Sequence, residues 1–147
     1  MIRPARESDI QQIKFLAQTC FAPYVTRLGK KIKPPVFDFS ADVIAGKVFV
    51  YMVDNSVRGF ITCHRDGMDL HVENMAVTNK YRRQGIGRAL LDHADQQGIR
   101  HKCLRLILYS TVVAFENIAY YRGRGFQEID RRYADGQEMV LFERYLR

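Results

Sequence analysis

Residues 73–91 constrain the fold more than any other stretch of this chain. Met75-Ala76-Val77 is an apolar, strand-like run, and a basic turn containing Gly85 and Gly87 follows it. Ile86, Leu90, Leu91 and Ala94 then recur at the spacing of one helical face. The helix is predicted over residues 85–97, with Gly98 as the residue just past its end. A compact apolar strand is predicted next, over residues 103–109. Strand, helix and strand at this spacing make a crossover unit, so the two strands should lie parallel in one sheet.

The same stretch is suited to an anion. The first amides of a helix have no internal partners, and the macrodipole places partial positive charge there. Gly85 and Gly87 permit unusual backbone angles and a close approach, while Arg82, Arg83 and Arg88 add full charges.

The strand before the turn is irregular. Met68, Leu70 and Val72 alternate in one phase, whereas Met75 and Val77 are apolar in the other. A slip of one residue within a strand is the trace of a β-bulge, placed here near Glu73-Asn74.

Around this centre the other elements follow from local signals. Ile2-Arg3-Pro4-Ala5 reads as an edge strand, where Pro4 is tolerated. Ser8-Asp9-Ile10-Gln11 has capping-box form and should start a helix carrying Ile10, Ile13, Leu16, Ala17, Cys20 and Phe21, which Pro23 should end or bend. Residues 22–40 mix aromatics with Arg27, Lys30, Lys31 and Lys33, as either a solvated connector or the wall of an acceptor pocket. Ser40 should cap a short helix through Ile44, stopped by Gly46. Strands over 47–53 and 57–63 are joined by Asp54-Asn55-Ser56, and Arg65-Asp66-Gly67 marks a second hairpin. A helix over 112–122 should bury Phe115, Ile118 and Ala119 and end at Gly123 and Gly125. Strands over 126–133 and 138–145 pair around Asp135-Gly136. The expected architecture is a single domain, residues 1–147, of α/β (α+β) class. Its mixed, mostly antiparallel sheet has about seven strands and helices on both faces.

Composition narrows the function classes. A length of 147 residues suits one domain with one sizeable core. No apolar run approaches the roughly 20 residues that cross a bilayer, and the N-terminus lacks the apolar segment of a signal peptide. A soluble, cytoplasmic protein is expected. Cys20, Cys63 and Cys103 lie far apart in apolar contexts and read as small buried side chains. They form no CxxC pair, the histidines have no metal-ligand spacing, and no metal is expected. The net charge of +7 favours an anionic partner: nucleic acid, a phosphorylated cofactor or an acidic substrate. Lysines and arginines are spread along the chain without a recognition helix, which argues against nucleic acid. A dinucleotide fold is disfavoured because Leu90 stands where the third glycine would be, and a P-loop because Gly-Lys-Ser/Thr is missing.

Two motifs carry a resemblance. Arg82-Arg83-Gln84-Gly85-Ile86-Gly87, after Asn74-Met75-Ala76-Val77, is similar to the signature loop and fourth strand of the GNAT family of N-acetyltransferases. Asn117-Ile118-Ala119-Tyr120-Tyr121-Arg122-Gly123-Arg124-Gly125-Phe126 resembles that family's Asn-x-x-x-Tyr-x-x-x-Gly-Phe segment. The element order matches over nearly the whole chain. The resemblance implies an acetyl-CoA-dependent N-acetyltransferase, with the fourth strand bulged and splayed from the fifth. Arg82, Arg83, Gln84, Gly85, Ile86, Gly87 and Arg88 would hold the pyrophosphate. The backbone of Met75, Ala76 and Val77 would pair with the pantetheine arm, and Asn117 and Tyr121 would complete the cofactor site. Many relatives place the asparagine seven residues before the tyrosine, where this chain has Ala114.

By family position Tyr121 would protonate the leaving thiolate, with Tyr120 turned into packing. Glu73, His71 or an ordered water would take the proton of the amine, and Tyr109 would line the acceptor side. No cysteine is placed for a covalent acyl-enzyme. The acceptor would be a small-molecule or protein amine, shaped by residues 22–40, 66–71 and 130–138. Their basic content points toward a carboxylate-bearing amine and away from polyamines. A homodimer through an edge strand near the C-terminus is also compatible. The competing reading is a noncatalytic module that senses CoA or binds nucleic acid.

Overall fold

The structure is a computed structural model and describes residues 1–29 and 35–146. In chain order it contains β1 (Ile2–Pro4), α1 (Ile10–Leu28), α2 (Ser40–Ile44), β2 (Val48–Val53), β3 (Ser56–Asp66), β4 (Asp69–Val77), α3 (Ile86–Arg100), β5 (Arg105–Thr111), α4 (Phe115–Gly123), β6 (Gln127–Ala134) and β7 (Gln137–Tyr145). The strands form one seven-stranded sheet in the order β1-β2-β3-β4-β5-β7-β6. β4 and β5 run parallel, as the crossover requires, and every other neighbouring pair is antiparallel. Asp54 and Asn55 take φ of 49° and 62° at the tip of β2–β3, and Asp135 and Gly136 take 53° and 77° at the tip of β6–β7. Such paired left-handed residues match the twist of a tight hairpin.

Strand alternation divides the apolar residues between two faces. On one face, Ile13, Leu16 and Ala17 of α1 pack with Phe39 and Val43 on Val48, Val50, Val57 and Phe60. On the other, Leu90, Leu91 and Ala94 of α3 pack on Leu70, Val72, Leu106 and Leu108, joined by Tyr121 and Phe126. The C-terminal edge is β6, exposed along its whole length. Its charged residues Glu128, Asp130, Arg131 and Arg132 blunt it against uncontrolled pairing. Among the described residues, no helix is long and apolar enough to cross a membrane.

Four local expectations are corrected. First, α1 continues through Pro23 to Leu28. An interior proline costs a helix about 3 kcal/mol, but tertiary contacts hold this one beyond it. Arg27 donates to Val113 O at 2.8 Å and forks onto Glu116 at 2.5 and 2.7 Å. Second, Asp9 rather than Ser8 supplies the cap. Its carboxylate accepts the Arg6 N–H at 2.7 Å and both guanidinium nitrogens of Arg3 at 2.7 and 3.0 Å. A short 3₁₀ turn, Glu7–Asp9, therefore precedes α1. Third, α3 runs past Gly98 to Arg100. A Cβ on Gly98 would fall 2.4 Å from Leu146 Cδ1, so a side chain there would require the tip of Leu146 to move. Fourth, α4 starts at Phe115 and buries a different stripe from the one expected. Ala114 and Tyr121 are buried and Ile118 half-buried, at i, i+4 and i+7, while Phe115 and Ala119 face solvent.

Candidate active site

The site begins with one surplus residue. Thr62 and Cys63, adjacent on β3, pair with Asn74 and Val72, which leaves Glu73 as a bulge where the phase slip placed it. The Asn74 N–H turns onto the buried Thr62 hydroxyl at 2.9 Å. Pairing of β4 with β5 runs from Asp69↔Arg105 to Val72↔Leu108 and stops there. Beyond it β4 stays with β3 and β5 stays with β7, so the two parallel strands part. Below the gap they are clamped by Arg105, which donates to Asp69 on β4 at 2.8 Å and to Glu143 on β7 at 2.9 Å. A cavity of about 1020 Å³ occupies the gap, with walls from α3 and α4 on one face and from α1 on the other. It passes through the sheet.

At the α3 end the backbone is arranged for an anion. The first intrahelical bond is Ala89 N to Gly85 O, and the amides of Arg83 to Arg88 have no partner among the described residues. Arg83 takes φ of 62° and Gly85 takes 84°. Left-handed residues alternating with right-handed ones form a concave nest of N–H groups. Arg83 carries a side chain in this conformation at a cost of about 1–2 kcal/mol, and the sequence carried no signal of it. Space beside Gly85 is open, with no protein atom within 4 Å of a Cβ built there. Arg82 donates to Val77 O at 3.3 Å. Arg83 and Arg88 make no ion pair among the described residues, whereas Arg3, Arg27, Arg105, Arg122, Arg131, Arg132 and Arg144 all do. Among the described residues, Arg6, Arg58, Arg65, Arg82, Arg100 and Arg124 are unpaired as well, so what sets this loop apart is the three guanidinium groups of Arg82, Arg83 and Arg88 beside free amides. These features fit the diphosphate of a nucleotide cofactor.

Most of the residues singled out from the sequence come together here. Glu73, Met75, Ala76, Val77, Arg82, Arg83, Gly85, Gly87, Arg88, Asn117 and Tyr121 all line the cavity. Two side chains do not. Ile86 is buried in the core, so only its amide faces the loop, and Gln84 turns back to Lys80 O at 3.4 Å. Both tyrosines line the cavity, and Tyr120 also packs against the core, as expected of it. Tyr121 is the buried one, edge-on to Phe126 at 5.8 Å, with its position on the cavity wall. Burial pushes its phenol pKa well up, with Tyr24 and Tyr120 adding to the rise. Tyr120 is half-buried, and its hydroxyl lies 3.0 Å from where a Gly87 Cβ would be. A side chain at 87 would press on this hydroxyl, which would have to give by a few tenths of an ångström.

At the bulge, Glu73 lines the cavity and His71 does not. His71 instead stacks between His64, at 5.1 Å, and Tyr109, at 6.3 Å, on the sheet face opposite α3. The Glu73 carboxylate lies against His64 Nδ1. His64 escaped sequence reading, although the hairpin turn could have located it, since β3 and β4 place His64 directly across from His71. Tyr24 and Phe37, from the 22–40 segment offered as a pocket wall, do line the cavity, whereas Cys20 and Phe21, read as core positions of the first helix, were missed as wall residues. Cys20 is thus half-buried beside the cavity rather than in the core, with its thiol 3.6 Å from Val77 O. Cys63 and Cys103 are buried. Tyr109 lines the cavity, as do Gln137 and Met139 from the start of β7. Lys30, Lys31 and Lys33 lie outside the described residues.

Solved structures share this architecture. Ard1 from Thermoplasma volcanium superposes with a TM-score of 0.78 at 22% identity, over 99% of this chain and 97% of that one. The PaiA N-acetyltransferase from Thermoplasma acidophilum, in complex with coenzyme A, gives 0.79 at 16% identity, over 99% and 98%. Naa50 from Arabidopsis thaliana, in complex with the bisubstrate analogue CoA-Ac-MVNAL, gives 0.75 at 18% identity, over 98% and 97%. At these identities the likeness is one of fold. The family model described as an acetyltransferase (GNAT) domain matches residues 45–128, which hold the bulge, the loop and both tyrosines. With more than half its length matched in this way, the chain belongs to the GNAT acetyltransferase family.

Proposed function

We propose that this protein transfers an acetyl group from acetyl-CoA to a primary amine by direct attack within a ternary complex. The observation that carries the reading is the cavity through the sheet. Its lining runs from Arg83, Gly85, Gly87 and Arg88 beside the free amides to Cys20, Phe21 and Tyr24 of α1 on the other face of the sheet. A donor and an acceptor entering from opposite sides would meet at the gap beside the bulge. Acetyl-CoA supplies a thioester carbon open to attack and a thiolate able to leave. The solved relatives bound to coenzyme A and to a CoA–peptide conjugate support a donor of this kind.

Each of the chain's own groups has a part. The amides of the 83–88 turn, with Arg82, Arg83 and Arg88, hold the diphosphate. The backbone of Met75, Ala76 and Val77, unpaired on its β5 side, guides the pantetheine amides like an added strand, and Asn117 faces the same channel. Tyr121 keeps its proton on the phenol oxygen because burial disfavours the phenolate. It is therefore stocked with the proton that a departing thiolate needs. Glu73 lies at the gap, where a carboxylate can accept the proton of an incoming ammonium, and His64 orients it.

Replacing Tyr121 by Phe tests the assignment. Turnover should fall about 100-fold, the scale of one positioned acid, while CoA affinity by calorimetry changes little. Unchanged turnover at saturating substrates would remove Tyr121 from the role.

A further inference from the structure

The α1 side of the cavity is built of rings. Phe60, at 1% exposure, and Phe39, at 3%, anchor it in the core. Phe37 stacks on Phe39 with planes 4° apart, Phe21 meets Phe37 edge-on at 6.0 Å, and Tyr24 meets Phe21 edge-on at 5.7 Å. The Arg27 guanidinium then lies 5.6 Å from the Tyr24 ring while forking onto Glu116 of α4, which fixes the outer end of the row across the cleft. A row pinned at both ends does not collapse into the cavity. Phe21, Tyr24 and Phe37 remain half-buried, each with surface on the cavity. Two carboxylates line the cavity: Glu116, held by Arg27, and Glu73 at the bulge, which no arginine pairs among the described residues.

Building on the acetyl-transfer reading, we propose that the acceptor is a primary amine borne on a carbon that carries a bulky apolar or aromatic group. The ammonium is drawn to the Glu73 carboxylate, and the apolar group covers the exposed faces of Phe21 and Phe37. Apolar surface withdrawn from water on both partners drives the fit, and ring faces and edges add to it. This differs from the carboxylate-bearing acceptor suggested by basic composition: the apolar rings make up the described α1 wall, where the cavity-lining guanidinium of Arg82 is turned to Val77 O and Cys20 Sγ. In the reaction the amine nitrogen forms a bond to the acyl carbon as the carbon–sulfur bond breaks. The ammonium first gives one proton to Glu73, and after attack the nitrogen loses its second proton to solvent, while Tyr121 protonates the departing sulfur and regains a proton from solvent. A free apolar amine and the first residue of a polypeptide share this chemistry.

Thiol release from acetyl-CoA separates the possibilities. One arm compares leucine amide and phenylethylamine with serine amide, aspartate amide and spermidine. The other compares pentapeptides that differ only in a first residue of Leu, Phe, Ser or Asp. The apolar members of at least one arm should exceed their polar counterparts by about 10-fold or more in kcat/KM, the scale of a hydrophobic pocket. The arm with the larger value identifies free amine or polypeptide as the source. Phe37→Ala should raise KM for the best apolar acceptor about 10-fold and leave KM for acetyl-CoA unaltered. Phe21→Leu is a milder variant with the same expected direction, and CoA binding reports that either variant is folded. Preference for a polar or charged amine, or an apolar KM indifferent to both substitutions, would overturn the inference and leave acetyl transfer standing. No amine-dependent release from any member would overturn acetyl transfer itself, and this inference with it.

Discussion

At the scale of single residues, the anion loop rests on backbone conformation more than on charge. Gly85, at φ 84°, lets the chain turn from a strand end into a helix while its amides stay unpaired. A β-branched residue is strained there by about 1–2 kcal/mol and would place its bulk in the open space beside the loop. Gly85→Val should therefore abolish measurable CoA binding by calorimetry while lowering the urea midpoint only modestly. Retained affinity would contradict the loop's role. The importance of Gly85 was legible because glycines at a helix start have few other uses. The left-handed Arg83 was not, since any residue type can be forced there by its surroundings. Tyr121 and Tyr120 were separable only by packing, because which face of α4 is buried depends on the sheet beneath it.

At the scale of elements, two junctions hold the site in place. The first is β1 to α1, where Arg3 and the Arg6 amide hold the Asp9 carboxylate below its usual range, the Arg3 hydrogen bonds being the larger cause. A depressed folded-state pKa stabilises above the unfolded value of about 3.9 and loses that contribution as pH falls through the folded one. Asp9→Asn should thus cost about 2 kcal/mol at pH 7. The gap between wild type and variant, read from urea midpoints, should shrink steadily below pH 4. A gap independent of pH would contradict the ion pair's contribution. The second junction is α3 on β3. A Cβ on Gly59 would lie 3.0 Å from Ile86 Cγ2, 3.2 Å from Ala76 O and 3.2 Å from Leu90 Cδ1. Gly59→Ala should destabilise by about 1–3 kcal/mol through overpacking. It should also weaken CoA binding, because Ile86 starts the helix whose amides form the loop. Destabilisation with unaltered CoA affinity would show that the loop is held independently of this contact.

At the scale of the whole molecule, the sheet is built to be open in one place. Strand count, the parallel β4–β5 pair and the bulge were all legible, because alternation has a fixed period and a slip of one residue changes the face of everything after it. Pro23 does not end α1, because a local penalty of a few kcal/mol is outweighed by contacts 86 to 89 residues away along the chain. The aromatic wall was legible only in part: residues 22–40 pointed to it, but Phe21, Phe37 and Phe60 come from three separate segments that only the fold assembles. The central claim is that the two ends of one cavity bring an acyl donor and an amine together. Thiol release from acetyl-CoA, followed continuously with and without a broad set of primary amines, tests it most directly. Release should depend on the amine and saturate in both substrates. CoA binding with no amine-dependent release from any amine would contradict it and leave a binding module on the same fold.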